Sequence, residues 1–138
     1  MATDIEPRSR PGETEKLTIN LGVVDLGQID LLVSEGFFAN RTDFIRTAIR
    51  RQLESRSGAV DSTVARRALT LGSEHLSRQD LEELRHAGQT VELRVLGLAT
   101  IADDVTPELA LATIAAVEVL GAFRAPRAVK AALASRIT

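Results

Sequence analysis

The sequence predicts an α+β protein with two unlike parts: a strand followed by two helices near the N-terminus, then repeated strand–helix units. Apolar and polar residues alternate over residues 16–21, which is the period of a strand. Apolar residues recur at helical spacing through residues 26–56. Short apolar runs ending in glycine then recur every 24 or 25 residues. We expect a disordered arm, a strand–helix–helix domain, a linker or helix extension, and a βα-repeat domain at residues 1–15, 16–57, 58–67 and 68–138.

Composition limits the class of protein. The chain has 138 residues, 44% of them hydrophobic, a formal net charge of −2 and no cysteine, so disulfides and thiolate metal sites are excluded. It shows no signal-peptide pattern and no apolar run of about 18 residues. We therefore expect a cytoplasmic protein without membrane contact. Residues 1–15 hold two prolines, a glycine and six charges, which is too polar for a core.

The predicted strand has one apolar and one polar face. Its apolar residues are Leu17, Ile19 and Leu21, and its polar residues are Lys16, Thr18 and Asn20. A lone strand leaves its backbone donors and acceptors unpaired, so the pattern predicts antiparallel pairing with a second copy of the chain. Such a two-stranded ribbon fits the DNA major groove, where Lys can bond guanine, Asn can bond adenine and Thr can bond either.

Two helices follow the strand. We expect the first at Leu26–Glu35, with Asp25 as N-cap, Gln28 completing a capping box and Gly36 ending it. Its apolar side chains are Leu26, Ile29, Leu32 and Val33, with Phe37 and Phe38 closing the core at the turn. We expect the second helix to start after Asn40 and run to about Arg56, with Phe44, Ile45, Ala48, Ile49 and Leu53 buried.

The start of the second helix predicts an anion site. Free amides at Arg41, Thr42 and Asp43, together with the helix dipole, suit a phosphate. The Arg41 side chain and the Thr42 hydroxyl add donors beside them, while acids such as Asp30 are expected to point elsewhere.

This order of features resembles a ribbon-helix-helix DNA-binding domain of the Arc, MetJ and CopG type. The likeness covers residues 16–57 and rests on the alternating strand, the capped first helix, the Gly-Phe-Phe turn and the Asn-Arg-Thr-Asp-Phe-Ile-Arg run. It implies an intertwined homodimer bound to double-stranded DNA. The implied base contacts are Lys16, Thr18 and Asn20, the phosphate contacts are Asn40, Arg41 and Thr42, and the dimer core is Leu17, Ile19, Leu21, Phe44, Ile45 and Ile49.

The C-terminal part repeats itself around Gly72, Gly97 and Gly121. Helices are expected at Arg78–His86 after Ser77, at Glu108–Thr113 after Thr106-Pro107, and at Arg127–Ser135 after Pro126. The repeats favour a miniature α/β solenoid, or a three-stranded parallel sheet with helices on one face. Either arrangement leaves surfaces for self-association, with Phe123, Leu98 and Ile101 on them, so we expect tetramers or longer arrays.

Enzymatic and metal chemistry find little support in the sequence. His75 and His86 lack metal-ligand spacing, Asp103-Asp104 has no third carboxylate, and no phosphate loop or nucleophile motif occurs. We therefore expect a non-enzyme without cofactor or metal.

The leading hypothesis is a bacterial-type transcriptional repressor. The resemblance also allows an antitoxin whose C-terminal region binds a toxin, or a DNA-architecture or partition protein.

Overall fold

The computed structural model describes residues 13–138. Contacts divide them into an N-terminal unit, Thr14–Thr63, and a C-terminal unit containing Val64–Thr138. Most of the predicted arm, residues 1–12, lies outside the described residues.

Three helices follow the extended start of the N-terminal unit. They are α1 (Val23–Ser34), α2 (Arg41–Ser55) and α3 (Ser57–Arg66). The segment 58–67, expected as a linker or helix extension, thus lies almost wholly in a separate helix. The second helix begins after Asn40, as predicted.

The first helix begins earlier than predicted. Its N-cap is Gly22 in an extended conformation, with no side-chain cap, and Asp25 lies inside the first turn. The expected Asp25–Gln28 capping box was therefore wrong, because Val23 and Val24 are already helical. An acidic residue in the first turn still favours the helix electrostatically.

The end of α1 is as predicted. Gly36 has a φ of 85°, and the amides of Gly36 and Phe37 donate to the carbonyls of Val33 and Leu32 at 3.1 and 3.0 Å. This is the Schellman arrangement, in which glycine adopts the left-handed conformation without a steric cost. It reverses the chain direction between α1 and α2.

Residues 13–22 form no regular secondary structure in the single chain. The strand expected at residues 16–21 is therefore not formed by the chain alone. The physical reason is the one that predicted pairing in the first place: an isolated strand has no backbone hydrogen-bond partner.

The C-terminal unit contains a three-stranded parallel sheet in the order β1-β2-β3. The strands are β1 (Thr70–Leu76), β2 (Val91–Ile101) and β3 (Ile114–Arg124). Helices α4 (Arg78–His86) and α5 (Pro107–Thr113) connect them, and α6 (Arg127–Ala132) with a 3₁₀ turn (Ala134–Arg136) follows. The predicted alternation of strands and helices is confirmed, although the last helix is shorter than expected.

The repeated glycines stand side by side across the sheet. Gly72 is paired with Gly97, and Gly97 with Gly121. Their φ angles are 121°, 140° and 123°, a region that side chains strongly disfavour. A Cβ added to Gly97 would lie 2.0 Å from the Gly72 carbonyl oxygen. The spacing of the repeats in the sequence thus corresponds to the register of the strands, in which equivalent residues of the repeats are paired.

Local caps explain where the helices of this unit begin. Ser77 accepts a hydrogen bond from the Asp80 amide at 3.0 Å, and the Asp80 carboxylate accepts one from the Ser77 amide at 3.1 Å. Hydrogen bonding from the Ser77 backbone amide, and in second place from the Ser77 side chain, holds the pKa of Asp80 below its usual value, with a smaller electrostatic contribution from His75. Thr106 caps α5 by accepting from the Leu109 amide at 3.2 Å.

The core lies between one face of the sheet and the helices. Helix residues in it are Leu81, Leu109, Ala110, Val129 and Leu133, and residues from β2 are Leu93, Val95, Ala99 and Ile101. Ile101 is only 3% exposed, and Phe123 packs against the core with Lys130 5.3 Å from its ring centroid. The expectation that Ile101 and Phe123 belong to an exposed association surface was therefore wrong.

Candidate nucleic-acid interface

The predicted base-reading residues lie on the extended stretch before α1. Lys16, Thr18 and Asn20 are all exposed. The intervening apolar side chains Leu17, Ile19 and Leu21 are 82%, 58% and 41% exposed in the single chain. A segment with this much uncovered aliphatic surface is typical of one that buries it against another molecule.

A groove between α1 and α2 receives the end of this stretch. It has a volume of about 320 Å³ and is lined by Leu21, Asp25, Gln28, Ile29, Leu32 and Phe44. Ile29 forms its most deeply buried part at 6% exposure. Phe38 and Phe44 meet edge to face with their ring centroids 5.0 Å apart, which fixes α2 against the turn after α1.

Exposure along α2 divides the predicted core into two groups. Phe44 and Ile45 are partly buried within the chain. Ile49 and Leu53 are 50% and 59% exposed, and Ala48 is also exposed. The chain alone therefore does not bury the whole apolar stripe of α2, and its outer part is available to a partner.

The start of α2 offers fewer free amides than expected. Asn40 caps the helix by accepting from the Asp43 amide at 2.8 Å, and the Asp43 carboxylate accepts from the Ala39 amide at 2.9 Å. Asp43 thus cannot offer its amide to a phosphate while the cap is made. The amides of Arg41 and Thr42 are the ones that fit this role.

The Arg41 side chain is held by Asp30. Its Nε and Nη2 atoms donate to the two carboxylate oxygens at 2.7 and 2.8 Å, a bidentate geometry. These hydrogen bonds hold the pKa of the Asp30 carboxyl below its usual range and raise that of Arg41. The expectation that Asp30 points away from this site was wrong, because the turn between the helices brings it beside Arg41.

Residues from the C-terminal ends of the three strands line a second cavity, of about 480 Å³. Its lining is His75, Thr100, Ile101, Ala102, Asp103, Arg124 and Ala125. His75 Nδ1 lies 2.6 Å from the Thr100 hydroxyl. No group of three or more metal-ligating side chains occurs within residues 13–138.

Sequence reasoning missed two features. The Asp30–Arg41 pair joins residues 11 positions apart, and no local pattern signals it. The second is a row of leucines across the sheet, Leu71, Leu96 and Leu120. Its signal was present, since each leucine immediately precedes a repeat glycine.

No helix of the described residues has the length and apolar character needed to cross a membrane. Searches of curated proteins and of solved structures gave no match. A family model for ribbon-helix-helix transcriptional regulators, proteins that bind DNA as dimers, matches residues 12–130. The match covers both units, and the chain belongs to the ribbon-helix-helix transcriptional regulator family.

Proposed function

We propose that the protein is a sequence-specific transcriptional repressor that reads the major groove with a ribbon formed by two chains. The observation that carries this proposal is the exposed alternation of residues 16–21 directly before two helices with an open apolar groove. In the dimer, Leu17, Ile19 and Leu21 turn toward the helices. Lys16, Thr18 and Asn20 then face the base edges.

Backbone phosphates are anchored at the start of α2. The amides of Arg41 and Thr42 point with the positive end of the helix dipole toward an anion. Asn40 contributes by fixing the helix start through its bond to the Asp43 amide. Asp30 holds the Arg41 guanidinium in place and offsets part of its charge, so Arg41 acts more as a positioned donor than as a free cation.

The C-terminal unit serves assembly. Its three strands form one parallel sheet, and contacts between the C-terminal units of different dimers join these dimers into tetramers or larger arrays on DNA. Such arrays bind cooperatively, because each dimer on the DNA raises the local concentration seen by the next. The protein acts at the nucleoid of a bacterial cytoplasm.

The decisive experiment is selection of preferred DNA fragments by the full chain, followed by affinity measurement on selected and unrelated duplexes. The test variant is the triple change Lys16→Ala, Thr18→Ala and Asn20→Ala. Each bidentate base contact is worth about 1–3 kcal/mol of discrimination, so the variant is expected to lose roughly a hundredfold of preference or more. It should bind both duplexes with the same affinity.

A matched control carries the same kinds of change on the C-terminal unit. Arg85, Gln89 and Thr90 are exposed basic, amide and hydroxyl side chains, and their replacement with alanine should leave the preference unchanged. An unaltered preference in the ribbon variant would refute base reading by these residues.

An antitoxin is the second candidate. Its C-terminal region would bind a toxin, and such regions are commonly ordered only on binding. The formed sheet and core of the C-terminal unit favour the repressor instead. Co-purification with a stoichiometric toxin, together with loss of C-terminal amide protection in the free chain, would reverse this ranking. A partition or DNA-architecture protein shares the ribbon contacts and differs in binding many regularly spaced sites.

A further inference from the structure

Among the residues that the structure describes, the helices of the C-terminal unit cover only one face of the sheet. Along β2, Leu93, Val95, Ala99 and Ile101 are buried toward the helices, whereas the alternate residues are not buried. The register of the strands places Leu71 beside Leu96 and Leu96 beside Leu120 on this other face. The next row along the strands is Ser73, Leu98 and Ala122. We call these two rows the leucine face.

The leucine face is apolar and open. Leu71 is 66% exposed and Leu120 is 42% exposed, while Leu96, Leu98 and Ala122 are partly exposed. Neither row contains a titratable side chain. Parallel sheets are usually covered on both faces, so a parallel sheet with leucines on an open face is suited to a covering partner.

One end of the leucine face has its charges paired. Glu118 accepts from Arg94 Nη2 at 3.5 Å, and Arg67 also donates to Glu118. Arg94 and Glu118 lie in the row before the leucines, because they are paired in the register. A second leucine face approaching this surface therefore meets an ion-pair network at that edge rather than an uncompensated charge.

The size of the face limits what can cover it. Over the seven residues of β1, the open side of the sheet holds the leucine face and one further row, His75, Thr100 and Arg124. Three strands about 4.8 Å apart, with seven residues at about 3.3 Å each, give this surface an area of roughly 330 Å². Two such surfaces in contact bury roughly 660 Å² in total, less than the roughly 1,200 Å² of a stable interface between free proteins. A single contact with an unrelated protein is thus too small to hold on its own.

Dimers of this family change that limit. Each dimer carries two leucine faces, so two dimers joined by two such contacts bury roughly 1,300 Å², which is within the range of stable interfaces. The second contact forms within an already joined complex and gains from its high effective concentration. A second copy of the chain meets the area requirement that a foreign partner does not.

We propose that the leucine face packs against the same face of a chain from another dimer, and that two of these contacts close a tetramer. The proposal rests on the assembly role given to the C-terminal unit above and assigns it a surface and a partner. Aligned packing of two sheets about 10 Å apart gives the contact the form of a β-sandwich. Leucines from the two faces then interdigitate across the contact.

The test measures the mass of the full chain by light scattering, without DNA, for the natural sequence and three single variants. Leu71→Glu and Leu120→Glu place a charge on the leucine face. Leu111→Glu is the matched control, because Leu111 on α5 is 41% exposed and Leu120 is 42% exposed. Circular dichroism checks that all four chains keep the same helix and strand content.

We expect four chains per particle for the natural sequence and for Leu111→Glu, and two for both face variants. A natural chain that forms only dimers overturns the proposal. So does an assembly that both face variants leave intact, or a loss that Leu111→Glu shares. An assembly larger than four chains that falls to two in the face variants alone supports the face as the contact and replaces the closed tetramer with an open array.

DNA binding separates failure of this contact from failure of the proposed function. The face variants should keep the preference for selected duplexes and lose cooperativity between neighbouring sites. Loss of preference in the ribbon variant, by contrast, does not depend on the leucine face.

Discussion

Replacing Gly97 with alanine should destabilise the C-terminal unit far more than replacing Gly72. Both glycines have φ angles that alanine disfavours, 140° and 121°, and each substitution incurs about 1–3 kcal/mol of backbone strain. The added Cβ at Gly97 would also lie 2.0 Å from the Gly72 carbonyl oxygen, whereas one at Gly72 meets no atom within 4 Å among the described residues.

The difference between the two variants isolates this collision. Relieving it requires β1 and β2 to separate locally by more than about 1 Å from their usual spacing near 4.8 Å. Two ladder hydrogen bonds beside the glycine are then lost or weakened, at about 0.5–1.5 kcal/mol each. With the distorted packing around them, we expect Gly97→Ala to be roughly 2–4 kcal/mol less stable than Gly72→Ala, comparable to other strongly destabilising substitutions.

Urea unfolding followed by far-ultraviolet circular dichroism measures this difference, because the chain has no Trp and no Tyr for fluorescence. Hydrogen exchange assigns the loss to strand amides rather than to the N-terminal unit. Equal stability of Gly97→Ala and Gly72→Ala would refute the close approach of the two strands at the glycine row. Gly121→Ala should behave like Gly97→Ala, since its Cβ would lie 2.1 Å from the Gly97 carbonyl oxygen.

Two further predictions concern single residues. Asp30→Asn should tighten non-specific DNA binding roughly several-fold at low salt, because it removes the carboxylate paired with Arg41 beside each of the two proposed phosphate sites of the dimer. Arg41 keeps the pKa of Asp30 low, so Asp30 is charged at neutral pH and the difference in DNA affinity between the two chains persists there. The difference disappears only as pH falls through that lowered pKa. Unchanged affinity of the variant in titrations at two salt concentrations would place Arg41 away from phosphate. Ala68→Gly should raise the free energy of unfolding in urea by about 0.5–1 kcal/mol. Ala68 has a φ of 52°, and this left-handed conformation costs a residue with a side chain about 1–2 kcal/mol. The greater flexibility of glycine in the unfolded chain offsets part of that gain. A loss of stability in Ala68→Gly would contradict this account.

Features that depend on a few neighbouring residues were predictable. Ser77 gave both the start and the N-cap of α4, because a capping serine bonds amides within the next turn. Gly36 gave the end of α1 for the same kind of local reason. The misplaced start of α1 is also local: Asp25 suits an N-cap chemically, but Gly22 precedes two valines that continue the helix from its first turn.

Features that join distant residues were predictable only where the sequence repeats. The glycine spacing anticipated the strand register, since neighbouring repeats of equal length place equivalent residues side by side. No such repetition connects Asp30 to Arg41. Their contact depends on how α1 and α2 are rotated about their own axes. The apolar stripes show which sides of the helices pack together, but they do not specify which polar side chains meet.

The leucine face shows why a visible pattern can still be misread. Apolar residues occur on both sides of β2, with Val95 directed to the helices and Leu96 to the open face. Because both faces of this strand are apolar, period-two alternation cannot show which face packs against the helices. The register supplies the missing assignment, because it aligns the three glycines and therefore also the three leucines that precede them. Leucines stand in register on this face across three strands, without a charged residue among them, which fits the proposed contact. The small area of the surface fits a second dimer of the same protein as the partner.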